Sequence, residues 1–120
     1  MSGTDPAPET SPDAAPPQDG TLGGYLEVHD RPPAFEGSDG HPYTVSMEVE
    51  RTADLRAPYQ GYLVFPRWAQ TGVGIIGHVE SATLAECRSE RDARARLGAL
   101  TLLEVQHILE DALAKRDINF

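Results

Sequence analysis

The chain has a single cysteine, Cys87, so it can form no internal disulfide and no Cys₄ zinc site. Lysine is nearly absent: Lys115 stands beside nine arginines. Basic residues as a class are scarce, 10 against 19 acidic ones, and the formal net charge is −9. Binding to a phosphate backbone needs clustered Lys and Arg, so a nucleic-acid partner is not expected. No apolar run approaches the ~18–20 residues that a bilayer crossing requires, so no membrane partner is expected either. The opening Met1-Ser2-Gly3-Thr4-Asp5 has neither the positive region nor the apolar stretch of a secretory signal. These absences point to a soluble, cytoplasmic protein. Its 120 residues suit one domain.

Composition divides the chain in two. Residues 1–20 hold five of the ten prolines and the acids Asp5, Glu9, Asp13 and Asp19, with no Lys or Arg. Met1 is their only large apolar side chain. Such a segment cannot bury enough surface to offset an ordering cost of roughly 1–2 kcal/mol per residue. Residues 1–23 are therefore expected to be a disordered, acidic, proline-rich tail, and residues 24–120 a single domain.

Within that domain, Tyr25 to His29 reads as a short strand. Pro32-Pro33 and Asp39-Gly40 mark a loop. From Tyr43 to Glu50 apolar and polar residues alternate: Tyr43, Val45, Met47 and Val49 share one face, and Thr44, Ser46, Glu48 and Glu50 the other. A third strand, Tyr59 to Phe65, is apolar on both faces, with Pro66 expected to end it or place it at an edge. A fourth runs from Val73 to Val79, and Thr83 to Cys87 extends it or forms a short fifth. Ser89 suits a helix N-cap, with Glu90 and Asp92 at the positive end of the helix dipole. Thr101-Leu102-Leu103-Glu104 fits a capping box. Residues 89–116 thus form two helices or one bent helix. Strands followed by helices predict an α+β fold. An antiparallel meander of about four strands would be covered on one face by the C-terminal helical segment. The expected core is Tyr25, Tyr43, Val45, Met47, Val49, Leu63, Phe65, Val73, Ile75, Val79, Leu97, Leu100, Val105, Ile108 and Leu109.

Few residues suggest chemistry. Gly72-Val73-Gly74-Ile75-Ile76-Gly77 spells G-x-G-x-x-G, but a dinucleotide site needs that motif to leave a strand and open a helix. Here β-branched residues surround it, so a glycine-bearing strand or hairpin is expected, and no cofactor is implied. His78 and Glu80 lie two residues apart, on one face of a strand, and could supply two metal ligands. A third would have to come from His29, Asp30 or His41. The pair supports an alternative function, a metal-dependent enzyme, although a solvated strand face is the simpler expectation. Glu104 and His107 have the E-x-x-H spacing of a di-iron helix, without the further motifs and helices such a bundle needs. Cys87 beside Arg88 near a helix start could be an activated thiol, or a small buried residue. Arg88, Arg91, Arg94 and Arg96 interleave with Glu86, Glu90 and Asp92, as on an ion-paired, solvated helix face.

The second face of the third strand carries the strongest signal. Tyr62 and Val64, with Arg67, Trp68 and Ile76 nearby, form a set of the aromatic and arginine type that anchors protein interfaces. If helices cover one sheet face only, an apolar patch on the other calls for a partner. The leading expectation is a non-catalytic interaction or regulatory module that self-associates or binds a protein through Tyr62, Val64, Arg67, Trp68 and Ile76. No catalytic residue is assigned.

The segment from Val73 to Leu97, through Glu80, Ser89-Glu90-Arg91 and Ala93, stands where the HicB-type antitoxin domain has its last meander strand and the start of its helix. The chain resembles that family in element order over about 50 residues. The family's proline-acidic and glycine-threonine signatures before the helix are missing. The resemblance implies a second alternative, an antitoxin-like regulator.

Overall fold

The computed structural model describes residues 20–118. The tail expected at residues 1–23 therefore lies outside the described residues except at 20–23. The elements run α1 (Leu22–His29), β1 (Phe35–Glu36), β2 (Pro42–Tyr43), β3 (Ser46–Arg51), β4 (Tyr59–Trp68), β5 (Ile75–Glu80), β6 (Ala85–Cys87), α2 (Glu90–Gly98) and α3 (Leu102–Ile118). The fold is α+β: one antiparallel sheet of six strands with helices packed on it.

Strand β4 organises the sheet. On one side it pairs with β2 through Arg67 and with β3 from Tyr59 to Val64. On the other it pairs with β6 from Tyr59 to Gly61 and with β5 from Val64 to Trp68. Its alternation turns Gly61, Leu63 and Phe65 toward the helices, all buried. They join Tyr43, Val45, Val79, Leu97, Val105, Leu109 and Leu113 in one core. Fully burying a side chain such as Leu63 is worth roughly 1.5–3 kcal/mol. Pro66 neither ends β4 nor lies at a sheet edge, contrary to expectation. It falls opposite the Thr44–Val45 break between β2 and β3, where the regular ladder is already interrupted.

The helical segment is two helices. Ser89 caps α2 by accepting from the Asp92 N–H at 3.0 Å. Thr101 and Glu104 form the expected capping box on α3: the Thr101 N–H donates to Glu104 at 2.9 Å, and the Glu104 N–H to Thr101 Oγ1 at 3.0 Å. Ala85, Cys87 and Ala93 make a smaller buried cluster beneath Tyr59.

Three expectations are corrected. Tyr25 to His29 is not a strand but the body of α1. Thr21 caps that helix by accepting from the Gly24 N–H at 3.1 Å, and Asp30 closes it in a left-handed conformation at φ 53°. The Leu22 N–H donates to the Leu100 carbonyl at 2.8 Å, and Gly23 packs directly on the Gly98 backbone. Docking at the α2–α3 junction thus overrides the strand preference of Tyr25 and Val28. The tail boundary expected after residue 23 consequently falls inside a helix, and Leu22 is fully buried. Val73 and Ile75 are not core residues but 78% and 58% exposed. Gly72 and Gly74 adopt φ 80° and 86° on either side of Val73, so the residue sits in the hairpin turn and β5 begins only at Ile75.

Close packing of the β1–β2 turn yields a stability prediction. A Cβ on Gly37 would lie 2.6 Å from the buried Tyr43 ring and 2.8 Å from the Asp39 carboxylate. Gly37→Ala should lower unfolding free energy by roughly 1–3 kcal/mol in urea denaturation. Gly77→Ala, where a Cβ meets nothing within 4 Å, should change it far less.

Candidate interaction surface

The helix-free face of the sheet is built by the same alternation that builds the core. On β4, Tyr62, Val64 and Trp68 point away from Leu63 and Phe65. All three are half-buried. Glu48 lies opposite Tyr62, and Ser46 and Glu80 flank Val64 from either side. A register shift at Arg67 and Trp68 makes Ile76 the extra residue of β5, 53% exposed. Tyr62, Val64 and Trp68 thus lie along one face of β4, and Ile76 stands at the bulge beside Trp68.

Arg67 does not belong to this set. Alternation turns it to the helix-covered side, where it pairs with Tyr43 across the ladder. There its Nε donates to Asp39 at 3.2 Å, and Tyr43 donates its hydroxyl to the same carboxylate oxygen at 2.7 Å. Arg67 is thus committed to a structural cluster at the end of the core. Trp68 is anchored as well: its indole N–H donates to Thr44 Oγ1 at 3.0 Å, and its carbonyl meets His41 Nδ1 at 3.0 Å. The ring is held in place, with part of its surface open.

Around the apolar centre the face is acidic. Burial, then the carboxylates of Glu50, Glu80 and Glu48, hold the Tyr62 hydroxyl above its ordinary pKa. His78 Nε2 lies 3.4 Å from Glu80. Apolar residues ringed by carboxylates suit a partner that offers an apolar contact edged with basic groups.

The other candidate residues occupy ordinary structural roles. His78 and Glu80 are more than half exposed, and no third ligand joins them; among the described residues no group of three or more His, Cys, Asp or Glu could hold a metal ion. Glu104 is engaged in the capping box rather than aimed at His107. Gly72 and Gly74 of the G-x-G-x-x-G run lie in a hairpin turn, closed by the Ala69 N–H on the Gly74 carbonyl at 3.0 Å, and Gly77 lies in β5. Cys87 is buried in β6. Arg94 is paired with Glu90 at 3.1 Å, while Arg88 and Arg96 line an open cleft of about 460 Å³ with Arg56, Glu86, Cys87, Asp92 and Ala95. That cleft was not legible in the sequence, because Arg56 comes from a distant loop. No protein-family model, curated protein or solved structure matches the chain.

The Arg67 cluster has a pH signature. Burial raises the Asp39 pKa, but the Tyr43 and His41 hydrogen bonds and the Arg67 charge outweigh it and bring it below 3.8. Burial first, and the bond to Asp39 second, push Tyr43 up from 10.0 to about 12. As pH rises past 10, the unfolded chain loses the tyrosine proton before the folded one does. The stability tied to Tyr43 is therefore fully present below pH 10 and lost as pH climbs toward 12. The Asp39 contribution runs the other way: it is present above 3.8 and lost as pH falls through the lowered folded value. Melting curves across the alkaline range should show a decline in Tm that is shallower in Tyr43→Phe. Parallel declines in the two proteins would remove Tyr43 as its source.

Proposed function

We propose that the chain is a small non-catalytic interaction module that binds a protein through the helix-free sheet face around Tyr62, Val64, Trp68 and Ile76. One observation carries this reading: the central strand is apolar on both faces, while the helices pack on only one of them. A patch of this kind on a chain of charge −9 costs solubility, and occupation by a partner removes that cost. The surrounding Glu48, Glu50 and Glu80 would select partners by charge, repelling acidic surfaces and steering basic ones. Rigid strands rather than loops hold the anchors, so little ordering entropy is lost on binding.

Tagged chain should capture a stoichiometric partner from its source lysate, and Ile76→Lys or Tyr62→Ala should lose it. Ile76 is exposed, so Ile76→Lys should keep the wild-type Tm, whereas Tyr62 is half-buried and bonds Glu50 at 3.5 Å, so Tyr62→Ala should lower Tm modestly without unfolding the chain. Trp68→Ala is a poorer probe because it also removes the bond to Thr44. Equal capture by wild type and both variants would place the binding surface elsewhere.

A further inference from the structure

The sheet edges differ in how they are protected. Strand β1 is only two residues long and β6 three. Strand β3 is six residues long, but α2 packs on its end of the sheet, and Arg94 Nη1 reaches the Met47 carbonyl at 3.5 Å. The Thr44 and Thr52 N–H groups donate to β4 carbonyls or just beyond, at Pro66 and Pro58. Ladder alternation then turns the even positions of β3 to β4 and the backbone of Met47 outward. Arg94 thus covers an outward carbonyl of that edge. Short strands and covered edges are common protections against edge-to-edge pairing.

Strand β5 is touched by α3, but among the described residues no side chain hydrogen-bonds to its outward backbone groups. Among the described residues it pairs with β4 alone. The Ser81 N–H donates to Leu63 at 2.9 Å, so Gly77 and Val79 turn their backbone groups to β4 as well. His78 and Glu80 therefore direct their N–H and C=O groups away from the sheet. The bulge affects only the start of the strand and leaves Gly77 to Glu80 in register. The side chains of His78 and Glu80 are 57% and 54% exposed.

From these features we infer that β5 pairs antiparallel with β5 of a second copy of this chain, about a two-fold axis at Val79. The inference goes beyond the proposed function: it places a second copy on the sheet edge and leaves the face around Tyr62 to a protein partner. Two-fold pairing of identical strands places residue i opposite a residue of the partner such that the two numbers have a constant sum. With Val79 on the axis, His78 lies opposite the partner's Glu80, and Glu80 opposite the partner's His78. Both are outward-facing positions, so the two rows can exchange ladder hydrogen bonds as well as charge. Centring on His78 instead would set two histidines face to face and put Ile76 against a carboxylate. The strand is thus self-complementary in one register. Residues 55–79 contain no Asp or Glu and include Arg56 and Arg67, so the β4–β5 hairpin itself adds little repulsion between two copies of charge −9.

Sedimentation velocity of the full chain over a wide concentration range tests the inference. The wild type should show a monomer–dimer equilibrium. His78→Glu should weaken it by roughly 2–30-fold through two like-charge cross-strand pairs, and His78→Glu with Glu80→Lys should restore it. His78→Pro removes an outward N–H without touching the β4 ladder and should weaken the dimer by roughly 5–150-fold, from two lost bonds. Should the proline variant misfold, the His78→Glu loss and its rescue by Glu80→Lys still decide, and amide exchange gives a direct readout. The His78 and Glu80 amides should exchange more slowly at high protein concentration than at low, and those of Met47 and Val49 should not. A monomer at every concentration would overturn the inference and leave the lysate capture to decide the proposed function. A dimer lost in Tyr62→Ala but insensitive to the β5 changes would overturn edge pairing while supporting the sheet-face reading.

Discussion

The ladder along β4 is the constraint on which the other elements depend. One ten-residue strand carries β2 and β3 on one side and β5 and β6 on the other. Since every partner is antiparallel to it, its alternation sets which side chains of the whole sheet face the helices. Gly61, Leu63 and Phe65 fix the core face, and Val49, Met47, Val79 and Ala85 follow by register. A slip of one residue would exchange Leu63 and Phe65 for Tyr62 and Val64, so burial of the core enforces the register.

The same ladder explains the helix-free face. A strand with partners on both sides is shielded at its edges and gains from apolar side chains on both faces. The helices, however, pack on one face, where Leu97, Val105 and Leu109 meet Leu63 and Phe65. Tyr62, Val64 and Trp68 are left half-buried among carboxylates. The α1 helix adds to the covered side, docked through Leu22 and the close Gly23–Gly98 contact. Both ends of the described chain thus serve one layer.

Local signals located several elements well. Period-two alternation marked β3, the Ser89 and Thr101 caps marked the two C-terminal helices, and the apolar run from Tyr59 marked the central strand. The errors have physical causes. Tyr25 and Val28 favour strands, but α1 is capped by Thr21 and held by a hydrogen bond to Leu100 and by burial of Leu22, the last two being contacts across a long sequence separation. Val73 and Ile75 look like core residues by type. The left-handed Gly72 and Gly74 on either side of Val73 place it in a turn, and the bulge beside Trp68 frees Ile75 and Ile76. Arg67 was grouped with Tyr62 and Val64 by sequence proximity, whereas strand parity sends it to Asp39 and Tyr43 on the opposite face.

By itself the sequence determined the class of fold, the apolar third strand, the starts of α2 and α3, and the acidic, arginine-based charge pattern. These properties depend on spacing, capping and composition, which act within a few residues. Only the tertiary structure decided which aromatic residues remain open, which arginine is committed to the core, and which sheet edge keeps its outward backbone groups open. Those outcomes depend on register and on which face the helices occupy. Both are set by contacts between distant segments, such as Leu22 with Leu100 and Arg94 with Met47, that no local pattern encodes.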